Sequence, residues 1–328
     1  MQNLPSPTIT QIKLQEFKEF VSNTSRPHYH QGVDGSGETR DFICDEALRE
    51  YWQTNNRISE LLDENTGIGP KTLADTWLQV WSILCYIARD NETHFINTFK
   101  RLGVDDSNLP VLRWPVNWPK DPATADLQKR FEEHQWRFTP LKLGPKTIYR
   151  KALHQRQIIP AREVPLSERG GGGGDDGVVT KADLCPCCII DRKYPPTVVF
   201  KKIGPTEDKN EFDQLEKSWE NELDIYAKLE NWDPMAVLEI PDMEPSVASP
   251  FDYVTQCLGC FEQPGPEGKR WTIILEFAAG GSLNDFYRSP DGRSVISPRL
   301  DKSNILPFWN KLLRCLLQGL VAIHAAGR

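Results

Sequence analysis

Apolar positions in the first 140 residues recur at helix spacing. Leu73, Trp77, Val80, Trp81, Leu84 and Ala88 fall on one stripe, and Thr72 with Asp75 three residues on reads as a capping box at its start. Weaker helical patterns cover Asp45 to Leu62 and His94 to Leu102, and a fourth follows Pro122 with Leu127, Phe131 and His134 on one face. These patterns predict a mainly α-helical domain over residues 1–140. Its first 40 residues, ending in HQGVDGSGETR, are rich in turn formers and are expected to be partly mobile. The segment WPVNWPK, Trp114 to Lys120, carries two prolines that break any regular element. Its tryptophans are expected to pack as an ordered loop, and the alternative is an aromatic or proline-rich ligand site.

After Leu141 the hydrophobic period shifts toward two. Candidate strands are Gln157 to Val164, Val178 to Asp183, Thr197 to Ile203, Tyr253 to Phe261 and Trp271 to Phe277, interrupted by one long helix from Glu211 to Glu230. A last helix runs from about Pro307, with Trp309, Leu312, Leu313, Leu316, Leu320 and Ile323 on its apolar side, and ends at Gly327. The expected class is α+β: a helical domain, then a five-stranded antiparallel sheet with one helix over 141–276, a connector over 276–281, and the start of a helical lobe over 282–328.

Composition narrows the function classes. The 328 residues are 39% hydrophobic and 10% aromatic, enough to fill two cores. With 46 acidic and 39 basic residues the formal charge is −7, which favours a small molecule or another protein as partner over nucleic acid or an anionic membrane. No apolar run approaches the roughly 20 residues of a membrane span, and MQNLPSPTIT lacks the order of a secretory signal. A cytoplasmic or nuclear location follows as the expectation. The eight cysteines are then expected to be mostly free thiols, with Cys85 and Cys315 as small core residues.

Three features carry candidate chemistry. The run GGGGGDDGVV contains G-x-G-x-x-G-x-V as Gly172, Gly174, Gly177 and Val179, where missing Cβ atoms let backbone N–H groups approach phosphates. Five consecutive glycines also describe a flexible linker, and Asp175 with Asp176 would repel phosphate. Lys201 lies on the strand VVFKK. On the long helix Leu215, Trp219, Tyr226 and Leu229 form one stripe, and Glu222 falls inside it while Glu216 and Glu220 do not. A carboxylate on a packing face needs a partner, because a buried unpaired charge costs several kcal/mol, and Lys201 is the candidate.

These features resemble the protein kinases. The glycine loop, VVFKK with Lys201, Glu222 on the helix, and Trp271 to Tyr287 (WTIILEFAAGGSLNDFY) stand in the order of that family's N-lobe and hinge, and LLQGLVAIHAAGR resembles the helix before its catalytic loop. The resemblance implies that Lys201, aligned by Glu222, meets the α- and β-phosphates of ATP. It implies further that Val179 and Val199 roof the adenine and that Leu275 is the gatekeeper. Backbone groups of Glu276 and Ala278 would meet the base edge, and Ser282 or Asp285 the ribose. The reaction implied is transfer of the γ-phosphoryl group to a protein serine or threonine. The family's H-R-D, D-F-G and A-P-E segments are not among the 328 residues, so its base and its ligands for Mg are missing, and the chain alone is expected not to phosphorylate. The competing class is a pseudokinase-like or scaffold module that holds a protein partner.

Two C-x-x-C pairs, Cys185 with Cys188 and Cys257 with Cys260, raise zinc as a rival site, although the second reads as part of a strand; no metal ligand is assigned. His324 resembles a packing histidine of the kinase family, and His28, His30, His94, His134 and His154 form no usable spacing.

Overall fold

The computed structural model describes residues 8–23, 25, 29–62, 66–89, 92–145, 148–165, 178–204, 209–230 and 254–278, together with Leu316, Leu317, Gly319, Leu320 and Ile323. It is α+β and divides into two compact units. The first comprises 1–143, 154–162 and 184–190, and the second 144–153, 163–183 and 191–328. The sequence placed a single boundary at 140; two later segments instead return to the first unit.

The first unit is built on helices α1 (Ile9–Ser22), α2 (Asp45–Gln53), α3 (Arg57–Leu61), α4 (Pro70–Thr76), α5 (Leu78–Ile87), α6 (Ile96–Leu102) and α7 (Pro122–His134). Every residue of α5 except Tyr86 is buried, which makes it the central helix around which the others pack. Phe17, Trp52, Trp81, Phe99 and Phe131 are among the large side chains of that core, and Trp52 Nε1 donates to Ser82 Oγ at 2.9 Å. Trp114 and Trp118 pack with Phe99, at 5.9 and 5.2 Å between ring centroids, so WPVNWPK is an ordered loop.

Three expectations for this unit are corrected. The stripe from Leu73 to Ala88 is two helices, broken at Trp77 (φ −127, ψ 25). The break is held from a distance: Trp77 Nε1 donates to the Val104 carbonyl at 3.1 Å, and the Asp106 carboxylate accepts from Gln79 N and Val80 N at 3.0 and 2.9 Å, capping α5. Thr72 with Asp75 forms no capping box, because α4 starts at Pro70 with Gly69 before it and no side-chain cap. The pattern from Asp45 to Leu62 is likewise split, since Asn55 and Asn56 adopt positive φ between α2 and α3. In the first 40 residues Thr8 and Gln11 form the capping box of α1. A hairpin follows, with strands β1 (Tyr29–Val33) and β2 (Thr39–Ile43). Asp34 holds its turn by accepting from Ser36 N, Glu38 N and Arg40 Nε.

The second unit centres on a six-stranded sheet, in the order β3 (Lys151–Ala152), β7 (Cys257–Gly265), β8 (Gly268–Glu276), β6 (Thr197–Ile203), β5 (Val178–Leu184), β4 (Ala161–Pro165). The expected all-antiparallel five-stranded sheet gains β3, which pairs parallel to β7 and makes the sheet mixed. Gly259 permits this edge: a Cβ there would lie 2.7 Å from the Ile148 carbonyl oxygen, and Cys260 N donates to that carbonyl at 2.6 Å. Helix α8 (Lys209–Glu230) lies between β6 and β7 in sequence and buries Trp219, Leu223 and Leu229. Trp219 and Leu223 pack on Ile203, Cys260, Trp271 and Ile273 of the sheet. The expected last helix falls largely outside the described residues; Leu316, Leu317, Gly319, Leu320 and Ile323 of it are helical. No described helix is long and apolar enough to cross a membrane.

Candidate functional site

Lys201 sits on β6 and Glu222 on α8, and their side chains meet, Nζ to Oε2, at 2.6 Å. Each is partly screened, with 28% and 24% of the side chain exposed. Strand alternation explains the meeting. Antiparallel register places Val179 and Ile273 opposite Lys201, and Lys181 and Leu275 opposite Val199. Opposed residues share a face, so Val179, Val199, Lys201, Ile203, Trp271, Ile273 and Leu275 all project toward the α8 side. That face changes character along its length. Ile203, Trp271 and Ile273 are fully buried beneath the helix, whereas Val179, Val199 and Leu275 are only half-buried. A partly open apolar surface therefore adjoins the lysine.

Glu222 stands at the edge of the packing stripe, next to the fully buried Leu223, which the stripe read from sequence omitted. Glu216 bridges to Lys269 at 3.6 Å and Glu220 is exposed, so neither competes for Lys201. Glu276 ends β8 and is exposed, as is Ala278 after it. Because β8 is the neighbour of β6, the chain leaves the sheet beside the strand that carries Lys201. Gly172, Gly174 and Gly177, and Ser282 and Asp285, lie outside the described residues. In the chain the glycines fall between β4 and β5.

A separate cavity of about 270 Å³ is lined by Tyr149, Tyr194, Tyr226, Gln256, Cys257 and Glu276, among others. It does not include Val179, Val199 or Lys201, and so is not the pocket that the kinase resemblance implies.

The two C-x-x-C pairs belong to different units, and the second is part of a strand, as the sequence indicated. Cys257 and Cys260 belong to β7 in the second unit, where Gly259 and the Ile148 carbonyl explain the motif as a close backbone approach. Cys185, Cys187 and Cys188 belong to the first unit, at a 3-10 turn from Pro186 to Cys188 that Cys185 precedes; there Cys187 meets Cys44 and His30 on one side and Cys185 and Cys188 on the other. All of these thiols are free. Hydrogen bonds from Cys187 and Cys188, and the imidazole of His30, hold the Cys185 thiol far below its usual range. The sulfurs of Cys185 and Cys44 in turn push His30 up to about 10. Neither His30 nor Cys44 stood out in the sequence; the one available signal was that Cys44 directly precedes a helix while His30 lies on a short alternating strand.

Searches against protein-family models, curated proteins and solved structures return no match to this chain.

Proposed function

We propose that the second unit is the nucleotide-binding half of a protein-kinase-like domain, and that its ligand is ATP. The observation that carries this reading is the Lys201–Glu222 pair beside a half-open apolar face. Glu222 fixes the ammonium group, which otherwise has four rotatable bonds of freedom, at a place where it can meet two phosphates as a point charge. Val179, Val199 and Leu275 supply a flat apolar surface next to it, as a purine ring requires. The chain turning out of β8 at Glu276 to Ala278 offers backbone donors and acceptors for the base edge. In the protein kinases this arrangement serves γ-phosphoryl transfer to a serine or threonine hydroxyl; for the residues present the proposal is nucleotide binding.

Asp175 and Asp176 favour a second reading, a partner-binding module without nucleotide, because two carboxylates in a phosphate loop oppose the ligand's charge. Titration of the full chain with a fluorescent ATP analogue separates the two. Saturable binding that ATP displaces and Lys201→Met weakens supports the first. No binding at millimolar nucleotide removes it and leaves the second.

A further inference from the structure

We propose that His30, Cys44, Cys185 and Cys187 hold one zinc ion in the first unit. The residues come from three separated stretches: β1, the residue that caps the start of α2, and the turn after β5. No local chain geometry forces them together. The ligand atoms of His30, Cys44 and Cys187 nevertheless lie within 4.8 Å of one another, as do those of Cys185, Cys187 and Cys188.

Cys187 is common to both groups. Zinc bound to sulfur at about 2.3 Å places neighbouring ligands about 3.8 Å apart. Cys44 Sγ and His30 Nε2, 3.8 Å apart, match that spacing, whereas Cys185 Sγ and Cys187 Sγ, at 3.0 Å, would move apart around the ion. Cys188 is the weaker fourth ligand, since it is fully buried with Phe42, Trp136 and Ile158, whereas Cys185 and Cys187 are half-buried. A shallow depression lined by His30, Cys44, Glu46, Glu50, Pro186 and Cys187 leads to the cluster and supplies an entry path. Three sulfurs and one imidazole nitrogen are a soft set that suits zinc over magnesium or calcium. The four protein ligands leave no open position, so the site is structural. Binding requires Cys44, Cys185 and Cys187 as thiolates and His30 neutral, so the protons the cluster still holds, including that of the His30 imidazolium, leave to solvent. The ion would tie the β1–β2 hairpin, which is weak on its own, to α2 and to the 184–190 segment.

The test is metal analysis of the full chain purified from zinc-supplemented culture. The expected result is one zinc per chain, released by mercurial titration of the thiols. His30→Ala and Cys187→Ser should weaken retention by at least about tenfold, while Cys188→Ser and the Cys257→Ser/Cys260→Ser pair keep the metal. Should the ligand variants fail to fold, cobalt substitution of the unmutated chain keeps the question decidable. Tetrahedral cobalt with sulfur-to-metal charge transfer supports the site; an octahedral spectrum overturns it. A folded, zinc-free chain, or a disulfide among Cys185, Cys187 and Cys188, also overturns it. Loss of metal in Cys188→Ser with retention in Cys185→Ser overturns the ligand set.

Discussion

Lys201 on β6 and Glu222 on α8 form an ion pair at 2.6 Å, and Glu222 lies at the edge of the helix face packed on the sheet. The helix therefore sets the direction of the lysine, and movement of α8 would move the charge.

Breaking this pair should separate binding from stability. With about a quarter of each side chain exposed, Glu222→Gln is expected to change unfolding free energy by about 1 kcal/mol or less. ATP affinity should fall by roughly 10- to 100-fold, the loss of a charge-assisted contact. Urea unfolding and nucleotide titration on the same preparation check both. A stability loss that fully accounts for the weaker binding would count against a positioning role.

Asp106 gives a pH signature. Burial lifts its carboxyl to about 6, above the roughly 3.9 of an unfolded chain. The native state thus holds this proton more tightly than the unfolded chain. The contribution is fully present below about pH 4 and is lost as pH rises through about 6, roughly 3 kcal/mol in all. Asp106→Asn keeps an acceptor for the α5 amides and should remove this slope. Urea unfolding of both proteins between pH 4 and 7 gives the comparison, and parallel curves would contradict the assignment.

Gly259→Ala should destabilise the second unit by about 1–3 kcal/mol, because the new methyl would lie 2.7 Å from the Ile148 carbonyl oxygen, a backbone atom. Thermal unfolding measures it. A change near zero would mean that the 148–152 segment can lift away from β7 at little cost.

Leu223→Ala empties a fully buried position between α8 and the sheet, and is expected to cost about 2–5 kcal/mol. It should also loosen the neighbouring Glu222, so nucleotide affinity is expected to fall with it. Unfolding and titration together report this, and undiminished affinity would show that Glu222 is held without Leu223.

Legibility followed the distance over which each feature is determined. The β5 and β6 strands, the α8 stripe and the partnership of Glu222 with Lys201 could be read because side-chain period and burial are local. The break at Trp77 could not, since its cap, Asp106, arrives from a separate turn and the apolar stripe continues through the break. The surroundings of the Cys185 turn could not be read either, because its C-x-x-C spacing names no partner elsewhere in the chain. Gly259 gives Cys257 and Cys260 their spacing for a backbone reason, while the actual neighbours, His30 and Cys44, carry no motif at all.

The first unit reclaims residues 154–162 and 184–190 from stretches of chain that otherwise belong to the second. Ile159 pairs with Val33 of the hairpin, and Ile189 bridges to Leu143. A cut after residue 143 would thus strip the helical unit of its own backbone partners and leave them dangling on the other fragment. The two units are interleaved along the chain, so neither can be moved, duplicated or swapped as a cassette, and a polypeptide emerging from the ribosome must reach about residue 190 before its first unit can close.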